Sequence, residues 1–403
     1  MDVRPVTLDE HAAFVRTFSR AMSFPPPEDE AIERMRADFR PERSLAAFDR
    51  DQIVGCADSY LFELTVPGNR QVDVAGVTRV GVLATHRRRG LLTLLMQRQL
   101  AEARERGEPM AILVASESVI YGRFGYGASS HHVALEIDTR YRDYRSGVEL
   151  EGTVAFVDEG SADKVFPEVH ERFRKQQPGA IPRSDAWWAG QRAERKTGRD
   201  VHAVHEDDAG NVDGYVRYHV NSKWEHALAA SVIEVGDLIV TSPSASAALW
   251  RHVLDVDLVR TVKAWGRPLD EPLRWWLANP RALRVTGTAD FFWTRLLDIP
   301  ASLGARTYRA DAELVLDVHD QLFADNSGRY ALRIDGGVGE CETTSAPANL
   351  KLSVVELGSL YLGGARASDL ARAGRIRELT DGALEKADAA FSSVPLPWSA
   401  TWF

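Results

Sequence analysis

The sequence predicts an α/β protein of two or three domains, and three observations carry that reading. The stretch Val80-Gly81-Val82-Leu83-Ala84-Thr85-His86-Arg87-Arg88-Arg89-Gly90-Leu91-Leu92 reads as a strand, a short basic loop and the opening of a helix, with Leu94, Leu95, Met96 and Leu100 continuing the apolar spacing. The same strand–loop–helix rhythm returns over residues 234–250. At 403 residues the chain is too long for one ordinary core.

From the N-terminus, Leu8, Ala12, Phe14, Val15 and Phe18 have helical spacing and predict an opening helix over 4–20. Pro25-Pro26-Pro27 forbids a helix, so the next one starts within Glu28-Asp29-Glu30. Those acids have two readings: a wall for a polycationic amine, or the carboxylates that favour any helix's first turn. Strands are expected over 44–48, 53–62 and 72–82, then a helix over 90–106 ending at Gly107, and a strand over 110–116. Together they make one mixed domain over 1–150.

A second unit over 151–290 contains a helix near 164–175, core aromatics Trp187 and Trp188, and an alternating strand over 214–220. Laying Val82 on Ile239 puts Arg87 on Ser244 and Gly90 on Ala247. Arginines and glycine are gone, so this copy should not hold a pyrophosphate. Over 291–403, strands are expected at 312–318 and 330–335, separated by the turn Asp325-Asn326-Ser327-Gly328. The tail Pro395-Leu396-Pro397-Trp398-Ser399-Ala400-Thr401-Trp402-Phe403 has three aromatics in its last six residues and suits an apolar groove.

Composition narrows the class. A hydrophobic content of 44% with 27% charged residues is that of a soluble globular protein. No apolar run approaches a membrane span and no signal peptide is evident, so a cytoplasmic protein without a membrane partner is expected. The net charge of −9 argues against nucleic acid. Cys56 and Cys341 are too few for a disulfide framework, and His86, His131 and His132 lack ligand spacing, so no metal is expected and these histidines read as exposed or capping residues.

The basic loop gathers backbone N–H groups and a helix N-terminus at one point, which suits a pyrophosphate; Gly90 permits close approach. Arg87-Arg88-Arg89-Gly90-Leu91-Leu92 resembles the loop by which GNAT N-acetyltransferases hold acetyl-CoA, with Leu92 in place of the usual small residue. Ile120-Tyr121-Gly122-Arg123-Phe124-Gly125-Tyr126-Gly127 resembles the GNAT ending, and together the two blocks resemble the Eis (enhanced intracellular survival) family nearly letter for letter. The resemblance implies two GNAT-like mixed-sheet domains, the second degenerate, plus a C-terminal sterol-carrier-like α+β domain, its cavity filled or facing substrate. Residues 290–300 resemble the helix that opens that third domain.

The resemblance also implies site roles. Val80, Gly81, Val82, Arg87, Arg88, Arg89, Gly90, Leu91 and Ser116 would hold acetyl-CoA. Tyr121 would protonate the departing thiolate, while Tyr126 packs. The Phe403 carboxylate, its pKa raised by burial between Trp402 and Trp398, would act as base or orient the ammonium. Phe24, Glu28, Asp29 and Trp402 are candidates for the acceptor wall. Aminoglycoside-modifying members carry an acid near Pro26 and another before the terminal Phe; here Pro26 and Trp402 stand there. Three readings are open: acetyl transfer to a cationic small molecule of aminoglycoside type, transfer to a lysine side chain, or non-catalytic acyl-CoA or lipid binding. Family members form hexamers, so a homo-oligomer is expected.

Overall fold

The structure is a computed structural model that describes residues 2–194 and 200–403. The chain opens with an edge strand, β1 (Asp2–Pro5), and only then forms helix α1 (His11–Ala21). The helix expected over 4–20 therefore starts late. Pro5 has no N–H to give a helix and is tolerated on a sheet edge, where β1 pairs with β2 (Leu45–Asp49). Helix α2 (Asp29–Arg36) starts within the acidic run. Long strands β3 (Gln52–Val66) and β4 (Arg70–Val82) form an antiparallel hairpin, and helix α3 (Leu91–Glu105) crosses to β5 (Met110–Val114), parallel to β4. The short helix α4 (Ser118–Tyr121) and β6 (Gly127–Ala128) end this segment.

A second sheet begins at once with β7 (His131–Asp138) and β8 (Thr153–Phe156). After helices α5 (Glu159–Arg174) and α6 (Asp185–Glu194) come β9 (Asp200–Glu206), β10 (Val212–Asn221) and a small hairpin, β11 (Trp224–Glu225) with β12 (Leu228–Ala229). Strand β13 (Ser231–Val240), helix α7 (Pro243–Leu254) and parallel strand β14 (Val259–Arg267) repeat the β4–α3–β5 unit. In this copy Ser242 caps α7 with its own side chain, accepting from Ala245 N–H, which fills part of the place an anion would take. Helix α8 (Leu273–Trp276) and β15 (Leu283–Asp290) complete a seven-stranded sheet in the order β15-β7-β14-β13-β10-β9-β8.

The chain then returns to the first sheet. Residues 290–300, expected to be a helix, form strand β16 (Phe292–Leu296), which sits between β5 and β6 and pairs with both; α9 (Ile299–Ala305) follows it. A five-residue run, Phe-Trp-Thr-Arg-Leu, is too short for its period to separate strand from helix, and the bare edge of β5 decides it. Two strands thus cross the expected boundaries at 150 and 290: β7 belongs to the second sheet and β16 to the first. The last unit has a five-stranded sheet from β17 (Ala312–His319), β18 (Gly328–Asp335), β19 (Val338–Thr343), β20 (Leu350–Ser353) and β21 (Arg377–Glu378), with helix α10 (Val354–Tyr361) against it. Its interior is filled by Leu314, Leu316, Leu332, Leu357 and their neighbours, in one core with Leu64, Met110, Ile112 and Phe292 of the first sheet. A fully buried Arg295–Asp320 pair, at 2.5 Å, joins the two units.

Candidate active site

The site grows from a parting of strands. β4 pairs with β3 over nearly its whole length, but with β5 only at Ala75↔Ala111 and Gly76↔Ile112. From Val77 onward the other edge of β4 has no strand partner, and its peptide groups are offered to an extended guest. A bulge in the same stretch sets Arg79 and Val80 together opposite Ala57, and Arg79 takes a left-handed φ of 48°. That conformation costs about 1–2 kcal/mol for a non-glycine residue. The Asp58 carboxylate offsets it: it accepts from the Arg79 guanidinium at 2.7 Å, the Ser44 hydroxyl at 2.7 Å and the Ser59 N–H at 2.9 Å. Consecutive side chains of a strand point to opposite faces, and the bulge shifts the alternation by one residue from here on. Val80 lines one cavity of ≈ 610 Å³ and Arg79 another of ≈ 600 Å³.

The first cavity runs along Val80, Gly81 and Val82 to the N-terminus of α3. Gly90 caps that helix with φ 79° and no side-chain cap, and the first bond inside the helix runs from Leu94 N–H to Gly90 C=O. The N–H groups of Leu91, Leu92 and Thr93 are therefore left for an anion. A glycine is needed at Gly90 for its φ alone, since nothing lies within 4 Å of an added Cβ. Arg87 lines the cavity while donating to the carbonyls of Val82 (3.4 Å) and Ala21 (3.1 Å), which ties the loop to the end of α1. Among the described residues Arg88 and Arg123 line it without an ion pair.

Arg89, expected at the cofactor, is outside the lining: it folds back to donate to the Thr85 carbonyl at 3.2 Å. The left-handed residue before it, Arg88 at φ 63°, turns the chain so that the two arginines diverge. Arg123, for which no role was expected, lines the cavity instead, and its signal was its place two residues after Tyr121.

Ser116 and Tyr121 stand across the cavity from β4. Burial pushes the Tyr121 hydroxyl above the ordinary tyrosine range, and the Ser116 hydroxyl offsets part of the rise. At neutral pH it keeps its proton. Tyr126 packs edge-to-face on Tyr121 at 6.2 Å, is fully buried, and its hydroxyl has no partner among the described residues.

On the opposite face of the sheet the tail closes the second cavity. The Phe403 ring lies against Phe62 at 4.8 Å, Phe292 at 5.7 Å and Tyr60 at 6.5 Å. These rings explain Gly76, the last residue of β4 paired with β5: a Cβ there would meet Phe62 at 2.3 Å and Phe403 at 3.3 Å. Trp402 stacks on Trp265 at 5.3 Å. The carboxylate is not held between Trp402 and Trp398 as expected, because Trp398 is buried in the second domain's core, edge-on to Phe173 at 5.4 Å, with its indole N–H on Gly266 C=O.

A buried cation positions the tail. The Arg183 guanidinium donates to Asp237 at 2.6 and 3.3 Å, the Tyr215 hydroxyl at 3.0 Å, Ala400 C=O at 3.0 Å and Thr401 Oγ1 at 3.1 Å. Burial works to raise the Asp237 carboxyl, but Arg183 outweighs it and holds it below the usual carboxylate range. Trp187, expected in the core, lines the cavity and donates to Trp402 C=O at 3.1 Å; Trp188 alone is buried.

Phe24, Glu28 and Asp29 do not reach either cavity. Phe24 is exposed and edge-on to Phe18, Glu28 sits at the N-cap of α2, and Asp29 bridges Arg16 at 2.6 Å. Glu28 and Asp29 open α2, and the helix pitch brings Ala31, Arg34 and Met35 to the cavity instead, with Asp38 following in the turn beyond the helix. Those positions are i, i+3, i+4 and i+7, a stripe the sequence could have shown. His132, expected to be exposed or capping, is buried between Trp265 and Phe291. Among the described residues no cluster could hold a metal ion.

A parted parallel pair with a bulge, beside a free helix N-terminus and a buried tyrosine, leaves room for an extended anionic guest. Residues 2–129 and 179–296 each match an acetyltransferase (GNAT) domain, and 299–400 a sterol carrier protein domain. An N-acetyltransferase of Streptomyces avermitilis is 38% identical over 100% of this chain and 99% of its own. N-acetyltransferase Eis of Mycobacterium tuberculosis is 35% identical over 85% of this chain and 84% of its own. This chain belongs to the Eis family of GNAT N-acetyltransferases. The crystal structure of Eis1 from Mycobacterium abscessus superposes with a TM-score of 0.91 at 35% identity, over 100% of both chains. As an Eis-family enzyme, the chain has two GNAT units and a sterol-carrier-like unit, and its chemistry is N-acetyl transfer.

Proposed function

We propose that the protein transfers the acetyl group of acetyl-CoA directly to a primary amine. The observation that carries this is the bulge, where adjacent residues Arg79 and Val80 open on separate cavities on the two faces of one strand. Donor and acceptor can then meet where β4 leaves β5. The N-terminus of α3, with Arg88 and Arg123, would hold the pyrophosphate, and the free edge of β4 would pair with the pantetheine arm. The Val82 N–H would polarise the thioester carbonyl. The Phe403 carboxylate would draw in the ammonium and accept one proton; the freed nitrogen forms the C–N bond, the C–S bond breaks, Tyr121 O–H protonates the sulfur, and the second proton shed by the nitrogen restores Tyr121 through solvent.

Calorimetry with acetyl-CoA, paired with CoA release against added amines, tests this reading. Binding with amine-dependent release supports it, and failure to bind acetyl-CoA overturns it. The Phe403 role has its own test. Extending the chain past Phe403 is expected to lower kcat at least tenfold with acetyl-CoA affinity unchanged, a cautious figure beside the ~10²–10⁴ of general acid–base groups. Full turnover in the extended protein would remove Phe403 from the mechanism.

A further inference from the structure

The second unit keeps the frame of a donor site and fills it from within the chain. β13 pairs with β14 as far as Val235↔Ala264 and then parts from it, and a bulge at Gly236 lies opposite Arg217 and Tyr218 of β10. Parting and bulge are the two features that open β4 to an extended guest. Here both ends of the slot are occupied. Ser242 caps α7 and donates its hydroxyl to Asp213, so a carboxylate is built in beside the helix end. Arg267, on Glu271 at 2.8 Å, donates to the Leu238 carbonyl at 2.7 Å, one of the peptide groups that the parting frees.

Between those ends lies the end of the chain. Trp398, Ser399 and Ala400 line the gap with Gly236, Asp237 and Trp265, and the space left is ≈ 160 Å³, against ≈ 610 Å³ in the open slot of the first unit. The Trp398 indole N–H donates to Gly266 C=O at 2.7 Å, its backbone N–H to Pro178 C=O at 2.8 Å, and the Arg267 guanidinium lies over its ring at 4.9 Å. Leu396 gives its N–H to Asp270 at 2.9 Å and takes a bond from Gln177 at 2.8 Å. Among the described residues, every hydrogen bond from 396–402 that leaves the tail ends in the second unit, although the tail continues the third.

A buried tryptophan anchor with paired backbone groups on either side is how a peptide is recognised. We propose that this slot is a receptor for a C-terminal peptide, its occupant being the chain's own tail, and that Trp398 is the positioning residue that sets how far the Phe403 carboxylate reaches toward β4. The second part rests on the acetyl-transfer reading above; the first stands without it.

Trp398→Gly in the full chain tests both. Its kcat is expected to fall at least tenfold with acetyl-CoA affinity within about twofold. The free peptide Pro395–Phe403 should bind this variant in calorimetry, leave the wild type with its filled slot alone, and restore kcat at least fivefold; the same peptide with an amidated C-terminus should bind and restore nothing. A variant with wild-type kcat, or one that does not bind the peptide, overturns the receptor. Binding of the free-acid peptide without restoration overturns the positioning role. Two insertions leave the Trp398 core contacts untouched. Two glycines before Val394, which is 73% exposed, should leave kcat within about twofold, because the anchor lies beyond them. Two glycines after Ser399 should lower it at least tenfold. Equal losses, or none from either, overturn the proposal. A wild type that fails to bind acetyl-CoA removes the transfer reading, and peptide binding to Trp398→Gly then decides the receptor alone.

Discussion

Tyr121→Phe is expected to lower kcat by roughly 10²-fold or more while acetyl-CoA affinity stays within about twofold, the range in which one general acid works. The ring packs with Phe124, Tyr126 and Leu297, and phenylalanine keeps that packing, so the loss isolates the O–H. The pH profile supplies a second reading. The group acts in its protonated form, and burial raises its pKa above the usual tyrosine value of about 10. A raised pKa extends the active plateau upward, so kcat should show no alkaline limb from Tyr121 below about pH 10. An alkaline limb near pH 8.5 that disappears in Tyr121→Phe would contradict the burial argument. A kcat within threefold of wild type would remove Tyr121 as the acid.

Arg183→Ala should be the most damaging change to stability. It leaves Asp237 charged and buried without its partner, which costs about 3–5 kcal/mol, and deprives Ala400 and Thr401 of their donors. Urea unfolding measures the first effect. Separating it from the second requires removing the whole polar group: Arg183→Met with Asp237→Leu and Tyr215→Phe leaves no orphaned charge, so most of the stability should return. Turnover should not return, because the tail has still lost its grip, and the defect should lie in kcat with acetyl-CoA affinity intact. A triple variant that is both stable and fully active would show that Arg183 serves the fold alone.

The donor side of the site was legible because its signals are local. Gly90 at a left-handed cap, the apolar period of α3 and the placing of Tyr121 each sit within a few residues of what they build. The acceptor side was not. Glu28 and Asp29 look like a wall for a cation, but helix pitch carries them outward and brings Arg34 and Met35 in. Arg183 gives no local sign of its role, since Asp237 and Thr401 lie 54 and 218 residues away. Strand β16 was misread for the same reason, its identity being set by the edge of β5. Arg89 shows a finer limit: a single left-handed residue before it decides which way its side chain points.

The return of β16 to the first sheet has a consequence for synthesis. The β5 edge is an apolar strand, Met-Ala-Ile-Leu-Val, that waits about 180 residues for its neighbour. At roughly 5–20 residues per second, a nascent chain carries that edge bare for about 10–40 s, while the whole second sheet is being made. Unpaired apolar edges recruit other chains, so this interval is when a holding chaperone matters most. A gene cut after residue 130 would make the exposure permanent, and the first GNAT unit, although it matches a domain family by itself, is not a piece that can be produced alone.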